Sequence, residues 1–275
     1  MSKGKYILVN GTFSLMEDYC ISLEEMEALG FSERIRSIRS FFPYFRETLE
    51  MVKLKLLIFN QSFPEFTDKE GSELKRQMER SLTKNKHFLG AVLTLTLRFT
   101  EKKVHYTIQT EKLDTTGYDL NEKGLFVEIF DKIEKPIGQL STLSIGSEIY
   151  WKLARNHQKG TLADQLLLLN TANQIVETPG SNLYTIKGKS IRGAGSGQGA
   201  YIDITRSVML DIFSKLNLDY TEDEGISSID IQECEELLIV NAIEGIRWVG
   251  GYEGKRYFNN TIRKISELFN QAKIN

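Results

Sequence analysis

Three short apolar segments that follow one another closely place the strongest constraint on how this chain can fold. Residues 166–170, 174–178 and 183–186 each have the length and the apolar content of a strand, and Asn and Gly residues separate them. Short strands joined by such turns are typical of an antiparallel arrangement. The second half of the chain is therefore predicted to contain an antiparallel run of strands.

The first half of the chain combines strand and helix patterns. Residues 6–9 form an apolar strand that ends in Asn10-Gly11, a pair that tolerates positive φ at both positions and so predicts a hairpin. The other patterns predict two surface helices and a second hairpin, at residues 45–59, 73–86, 91–99 and 104–110. We therefore expect an α/β N-terminal half.

The second half also contains helix patterns and a glycine-rich loop. A helix is predicted where Ile145, Ile149 and Leu153 recur every fourth residue. The glycines of residues 191–199 lead towards another helix, and free N–H groups at a helix N-terminus make such a loop a candidate phosphate site. A flexible loop is the alternative interpretation. The remaining apolar patterns predict two strands, a second helix after the loop and a closing helix, at residues 124–130, 237–240, 204–216 and 262–269.

Composition narrows the classes of function. The net charge is −2, with 26% charged and 41% hydrophobic residues, so neither disorder nor binding to nucleic acid is indicated. The longest apolar runs fall well short of the roughly 20 residues that span a bilayer, and the first residues lack the apolar core of a signal peptide. With Cys20 and Cys234 as its two cysteines, the chain is expected to be a cytoplasmic, disulfide-free protein with no membrane partner.

Histidine and tryptophan give no further chemical signal. His87, His105 and His157 are scattered without the spacing of metal ligands, so no metal site is predicted. Trp151 and Trp248 are interpreted as core or interface residues, because large aromatic side chains usually serve burial. Candidate site residues must therefore be sought among the other blocks of the sequence.

Two of those blocks resemble the signature of a known family. They are Glu177-Thr178-Pro179-Gly180-Ser181-Asn182-Leu183-Tyr184 and Asp203-Ile204-Thr205-Arg206. The class IV pyridoxal-phosphate enzymes, which include branched-chain and D-amino-acid aminotransferases and aminodeoxychorismate lyase, read roughly Glu-Thr-x-x-Ser-Asn-Leu-Phe and then Gly-Ile-Thr-Arg. The resemblance extends over residues 140–269. It is weaker before them, where the usual Asp-Arg-Gly and Tyr-Gly-Asp-Gly elements are missing.

The resemblance implies an architecture and an assembly. The fold class is α/β (α+β), a two-domain fold-type-IV pyridoxal-phosphate enzyme fold. Residues 1–115 would form a small N-terminal α/β domain, and residues 116–275 a larger C-terminal domain with a barrel-like, mainly antiparallel sheet and helices. The resemblance also implies a homodimer, with aromatic residues between Phe41 and Phe45 contributing apolar contact, and a small anionic or amino-acid-like ligand.

The resemblance assigns roles to individual residues. Glu177 matches the carboxylate that meets the pyridine nitrogen and keeps it protonated. Ile204 and Thr205 match the positions that hold the phosphate at a helix N-terminus, and Asn241 and Ala242 match a second phosphate-side turn. A strand-end carboxylate in solvent is the alternative for Glu177, and a simple strand end is the alternative for Asn241 and Ala242.

The family's phosphate-binding arginine has no arginine counterpart here. The nearest register gives Lys53, which lies one turn after Glu50. A lysine can serve as a point charge, although it lacks the bidentate fork of arginine. A solvated helix lysine is the alternative interpretation of Lys53.

The family's catalytic lysine is aligned with a serine. In relatives the lysine opens a block of the form Lys-x-x-Asn-x-Leu-x-x-x-Leu-Ala, and matching Leu153-Ala154 to its end puts Ser144 in the lysine position. A hydroxyl can neither form an aldimine nor move the proton that the freed amine moves. A register with an insertion would place Ser141 there instead, and a helix N-cap is the alternative role of Ser144. Neighbouring lysines replace it only after a register shift, namely Lys132, Lys135, Lys152 and Lys159.

Two functional hypotheses follow from these matches and departures. The first is a non-catalytic relative that keeps the fold and binds pyridoxal phosphate non-covalently at best. The second is an active aminodeoxychorismate lyase or amino-acid aminotransferase that uses another lysine. A third interpretation, a single replacement in an otherwise active enzyme, conflicts with the additional loss of the N-terminal motifs. The chemistry of the missing amine favours the first hypothesis.

Overall fold

The chain forms two compact units. The computed structural model describes residues 2–101 and 103–274, and the first unit ends at Gly117 while the second begins at Tyr118. They are called the N-terminal unit and the C-terminal unit below. The domain bounds expected from the sequence, 1–115 and 116–275, stay a prediction.

The N-terminal unit is built on one six-stranded antiparallel sheet. Its strands are β1 (Ser2–Lys3), β2 (Tyr6–Val9), β3 (Thr12–Leu15), β4 (Leu29–Ile38), β5 (Gly90–Phe99) and β6 (Val104–Lys112). They pair in the order β3-β2-β6-β5-β4, and β1 also pairs with β6. The helices are α1 (Leu23–Glu27), α2 (Phe45–Ile58), α3 (Pro64–Thr67) and α4 (Ser72–Asn85). α2 packs on β4, whereas α4 packs on β2 and β6.

Local sequence accounts for most of this unit. Asn10 and Gly11 both have positive φ, 46° and 83°, as the predicted hairpin turn requires. Both predicted hairpins and both predicted surface helices are confirmed. The sequence pattern did not identify β4, because polar residues interrupt it. Two of them have partners within the unit: Glu33 pairs with the buried Lys55, and Arg36 donates to the Gly117 carbonyl at 2.6 Å.

The aromatic segment of the N-terminal unit is mostly internal. Phe42 and Tyr44 are buried within the unit, whereas Phe41 is 57% exposed. The expectation that the aromatics from Phe41 to Phe45 contribute to an interface must therefore be narrowed. Phe42 and Tyr44 serve the core of their own unit, and Phe41 is the member of this segment that presents a large apolar surface.

The C-terminal unit is built on a nine-stranded sheet. Its strands are β7 (Leu125–Lys135), β8 (Gln165–Asn170), β9 (Ile175–Thr178), β10 (Ser181–Lys187), β11 (Ser190–Gly193), β12 (Asp219–Thr221), β13 (Glu236–Asn241), β14 (Gly245–Tyr252) and β15 (Lys255–Arg256). Its helices are α5 (Ser144–Gln158), α6 (Arg206–Lys215), α7 (Ser228–Glu233) and α8 (Asn260–Ile274).

Six of these strands close into a ring. The order around it is β9-β10-β13-β14-β7-β8, and β8 pairs with β9 to complete the circle. The β14–β7 and β7–β8 pairs are parallel and the other four are antiparallel. The mainly antiparallel, barrel-like sheet expected from the resemblance is therefore confirmed. Apolar residues of the ring form one buried cluster that includes Val127, Leu167, Ile175, Leu183, Ile239 and Val249.

Helix α5 exists where the sequence predicted it, but the apolar residues that predicted it do not form its buried face. Ile149 and Leu153 are 58% and 42% exposed. The face that α5 buries carries Ser147, Trp151 and Ala154 instead, which also recur at helical spacing. Ile149 and Leu153 therefore lie on the outward face of α5. On the buried face, the Ser147 hydroxyl donates to the Ser141 carbonyl and the Trp151 Nε1 donates to Glu177.

The glycine-rich loop also differs from the expectation. β11 leads into it, and α6 begins at Arg206, so residues 194–205 separate the strand from the helix. Gly199 has φ +70°, and a Cβ at this position would lie 2.9 Å from the Pro136 carbonyl oxygen. Gln198 accepts a hydrogen bond from the Gly195 N–H at 3.0 Å and donates to the Asp223 carbonyl at 2.9 Å. The loop is therefore held by hydrogen bonds within it and to Asp223.

Candidate functional site

The centre of the candidate site is a glutamate that the fold removes from water. Glu177 is the third residue of β9, and its register partners are Leu168 in β8 and Asn182 in β10. Because β9 pairs on both sides, the carboxylate lies inside the unit and is fully buried. A strand-end carboxylate in solvent, the alternative interpretation, is therefore wrong.

Three donors from distant parts of the C-terminal unit converge on this carboxylate. The Lys135 Nζ, at the end of β7, lies 2.7 Å from Glu177 Oε2. The Trp151 Nε1, on the buried face of α5, donates to Glu177 Oε1 at 2.6 Å. The backbone N–H of Tyr201, which follows the glycine loop, donates to Glu177 Oε2 at 2.5 Å. All three donors are groups of the chain itself.

Lys135 is as deeply buried as its partner. Its ammonium also donates to the Ser141 carbonyl at 2.9 Å, and the Ser147 hydroxyl donates to the same carbonyl at 2.8 Å. Burial lowers the pKa of Lys135, and Glu177 opposes that shift. Burial likewise raises the pKa of Glu177, which the hydrogen bonds from Lys135, Trp151 and Tyr201 oppose. Each group therefore depends on the other to remain charged.

A second convergence of donors surrounds Asp203. This residue is 5% exposed and lies three positions before α6. Its Oδ1 accepts the Thr205 N–H at 2.9 Å, the Tyr201 hydroxyl lies 3.3 Å from Oδ2, and the backbone N–H of Ala242 lies close enough to lower the pKa of the carboxyl. The buried Thr205 hydroxyl lies close to the same carboxylate, outside hydrogen-bond geometry with any described residue. Burial raises the pKa of Asp203 to about 6, although these hydrogen bonds oppose the rise.

The structure brings together some of the predicted phosphate-side residues. Thr205 donates its N–H to Asp203, the Ala242 N–H lies near the same carboxylate, and Ile204 lies between Asp203 and Thr205. The Asn241 side chain serves its own turn. Its Oδ1 accepts the N–H groups of residues 243 and 244, and its Nδ2 donates to the Ser181 hydroxyl at 2.7 Å. The phosphate roles of all these residues stay predictions.

Ser144 and Lys53 form none of the described contacts with Glu177 or Asp203. Ser144 is the first residue of α5, and the cap residue is Leu143, so the alternative of Ser144 as the N-cap is wrong by one position. Lys53 belongs to the N-terminal unit, where its ammonium pairs with Glu50 at 2.9 Å and its side chain is 40% exposed. Its predicted phosphate contact stays a prediction.

Sequence reasoning missed four residues that carry the geometry. Lys135 was set aside because no alignment used it, and Trp151 because tryptophan usually serves burial. Tyr201 acts through its backbone, which no residue type reveals. Asp203 had a visible signal, since it stands where the family signature has glycine.

The described residues contain no candidate metal centre. Within residues 2–101 and 103–274, no group of three or more His, Cys, Asp and Glu residues is arranged to hold a metal ion. In the same part of the chain, no helix combines the length and the apolar character that a membrane crossing requires. Cys20 is exposed and Cys234 is buried, and neither forms a disulfide.

The Lys135–Glu177 pair leads to a prediction about stability. Replacing Lys135 by Met should lower the free energy of unfolding by about 3–5 kcal/mol, because it leaves a buried carboxylate without its counter-charge. The matched control is Lys152→Met on α5, which removes an exposed pair with Glu148 and should cost about 0.5 kcal/mol or less. Urea unfolding measures both, and a double-mutant cycle with Glu177→Gln should give a coupling of at least about 1 kcal/mol. Similar losses for both lysine variants would contradict this assignment.

Asp203 leads to a prediction about pH. Its pKa is raised from the ordinary 3.8 to about 6, so folding favours the protonated form. Its contribution to stability is complete below about pH 4 and is lost as the pH rises through about 6. Between those limits the free energy of unfolding of Asp203→Asn should therefore gain up to about 3 kcal/mol relative to that of the native protein. Urea unfolding at several pH values measures the difference, and Asp211→Asn, at an exposed position of α6, is the control. A pH-independent difference would show that Asp203 titrates normally.

Known structures share this fold at low sequence identity. Branched-chain aminotransferase from Thermoproteus uzoniensis, solved with norvaline, is 15% identical, with a TM-score of 0.80 over 97% of this chain and 93% of that chain. A putative 4-amino-4-deoxychorismate lyase from Legionella pneumophila is 16% identical, with a TM-score of 0.79 over 94% and 97%. Branched-chain aminotransferase from Thermobaculum terrenum, in its PLP (holo) form, is 12% identical, with a TM-score of 0.80 over 98% and 94%.

Sequence comparison identifies the family independently of the structures. Residues 71–251 match the sequence profile described as amino-transferase class IV. A comparison with functionally curated proteins gives no match. The matched range covers well over half of the sequence and includes both blocks on which the resemblance was based. The chain therefore belongs to the amino-transferase class IV family.

Proposed function

We propose that this protein is a class IV family member that does not carry out pyridoxal-phosphate catalysis and acts as a binding or partner protein. The observation that carries the proposal is the state of Glu177. Its carboxylate is buried and already accepts hydrogen bonds from Lys135, Trp151 and the Tyr201 N–H. The group that should meet the pyridine nitrogen is thus occupied by the chain.

The residues around Glu177 do not fit a pyridine ring nitrogen. A carboxylate has about four lone-pair sites, and three of those of Glu177 already accept short hydrogen bonds of 2.5–2.7 Å. A ring nitrogen would have to use the remaining site on Oε1, beside Trp151, or displace one of the three donors. Displacing Lys135 would leave a buried ammonium without its counter-charge, which is strongly unfavourable. The site is therefore at odds with the cofactor at this end.

The amine that the chemistry needs is also missing from the predicted position. Ser144 begins α5, and a hydroxyl cannot form the Schiff base that anchors the cofactor in such enzymes. Pyridoxal phosphate would bind non-covalently at best. No catalytic step through that cofactor is therefore assigned to this chain.

A second candidate function rests on Lys135 itself. Its ammonium is buried beside Glu177, so an aminotransferase or lyase that uses Lys135 as its amine is the specific alternative. The position of Lys135 argues against this alternative. In pyridoxal-phosphate enzymes the Schiff-base lysine and the partner of the pyridine nitrogen act on opposite ends of the ring, whereas Lys135 contacts the pyridine-nitrogen partner directly.

A trapping experiment separates these two functions. Pyridoxal phosphate added to the native protein should give no aldimine absorbance that survives dialysis, because Ser144 has no amine and the Lys135 ammonium is held by Glu177. Reduction with borohydride after dialysis, followed by mass spectrometry, should find no lysine that carries the cofactor stoichiometrically. The Thermobaculum terrenum enzyme, solved in its PLP form, is the positive control for both readouts.

The same experiment contains the outcome that would overturn the proposal. Stoichiometric cofactor on Lys135 would establish the enzymatic alternative and refute the proposal. Lys135→Arg is the matched control variant, since it keeps the charge beside Glu177 but cannot form an aldimine. Any trapping that persists in this variant comes from surface lysines.

Assembly, location and ligand class belong to the same proposal. We expect a homodimer in the cytoplasm, and a small anionic or amino-acid-like ligand is supported by the norvaline in the Thermoproteus uzoniensis structure. Sedimentation at micromolar concentration should give twice the chain mass of 31.5 kDa. Phe41→Ser tests the exposed aromatic as a contact, with Phe88→Ser, at another exposed phenylalanine of the N-terminal unit, as its control. A native protein that sediments as a monomer would refute the assembly.

A further inference from the structure

The donors around Asp203 come from the two segments that the family resemblance assigns to a phosphate. Thr205 belongs to the turn before α6, and Ala242 belongs to the turn after β13. The Thr205 N–H donates to the Asp203 carboxylate, and the Ala242 N–H lies close enough to it to lower its pKa. Two segments that are far apart in the sequence thus share one anionic partner, which the chain supplies.

The location favours an anion on physical grounds. α6 has ten residues, and the first N–H groups of a helix carry no partner inside the helix, so its N-terminus attracts negative charge. A carboxylate satisfies such donors in the way that phosphate oxygens do. From the preceding turn, the Asp203 carboxylate accepts the N–H of Thr205, the cap residue of α6, and the Asp203 backbone N–H donates to the Asn182 side chain at 3.1 Å.

A second observation indicates that the turn before α6 offers more donors than the Asp203 carboxylate uses. The Thr205 hydroxyl is buried and meets no hydrogen-bond geometry with the described residues. A phosphate group presents three terminal oxygens, whereas a carboxylate presents two. The unused hydroxyl is the donor that a larger anion would engage.

We propose that Asp203 is a built-in ligand that occupies the phosphate seat of this family member. The seat comprises Thr205, the backbone of Ala242 and the N-terminus of α6. With the carboxylate in place, the seat excludes phosphate monoesters through charge. Without it, the seat binds them. Glycine, the residue of the family signature at this position, is the one that leaves the space open.

Lys135 and Asp203 together place inside the site the two charges that a ligand would bring. Lys135 presents a positive N–H to Glu177, where the resemblance expects a protonated ring nitrogen. Asp203 presents a negative group where the resemblance expects a phosphate. Both ends of the site are therefore satisfied without any bound molecule. The Asp203 proposal concerns the same site as the proposed function, but it rests on different residues.

Phosphate binding by two Asp203 variants tests the proposal. The variants are Asp203→Gly, which opens the seat, and Asp203→Asn, which keeps its shape and removes the charge. Isothermal titration calorimetry with inorganic phosphate at neutral pH should show binding by both that is at least about tenfold tighter than by the native protein, because a like charge has been removed. Asp211→Asn, which neutralises an exposed aspartate on α6, should behave like the native protein.

Each outcome of the titration decides the proposal. It is overturned if the native protein and Asp211→Asn bind phosphate as tightly as the Asp203 variants do, or if both Asp203 variants retain the native circular dichroism spectrum and bind no phosphate. If Asp203→Gly fails to fold, Asp203→Asn alone carries the test. Failure here is distinguishable from failure of the proposed function, because cofactor trapped on Lys135 would not alter phosphate binding at the other end of the site.

Discussion

The buried pair of Lys135 and Glu177 is the contact on which the organisation of the C-terminal unit depends. Two charges removed from water remain in place only when close partners offset the loss of hydration. Here the partners come from the end of β7, from β9, from α5 through Trp151 and from the segment before α6 through Tyr201. A shift of any one of these elements would leave a buried charge incompletely bonded, so the pair fixes their mutual positions.

The same pair accounts for a buried glutamate in this family member without any bound molecule. A buried carboxylate needs a counter-charge whether or not a ligand is present. Lys135 provides it from within the fold, and the Asp203 carboxylate likewise accepts the Thr205 N–H of the same unit. Glu177 therefore has its counter-charge in the chain itself, whatever residue stands at position 144.

Sequence patterns predicted the elements of the fold better than they predicted the site. Strong local signals, such as Asn10-Gly11 and the short apolar strands, gave correct hairpins and a correct antiparallel run. The role of Lys135 depends on a register irregularity in β7 after Phe130, which no residue type announces. Asp203 lies in a block that resembles the family signature, and its burial and its contact with Thr205 are visible in the structure alone. The apolar residues that correctly predicted α5 do not mark its buried face, since Ile149 lies on an outward face.

The closed ring has a consequence for the order in which the chain can fold. β7 begins at Leu125, but its parallel partner β14 begins at Gly245, so the ring closes only after almost the whole chain has been synthesised. Contacts this distant in sequence slow folding, because loop-closure entropy must be overcome first. Until then β7 presents an unpaired edge, a template for association with other chains. The N-terminal unit pairs its strands within its own residues, so it can form while that edge is still open.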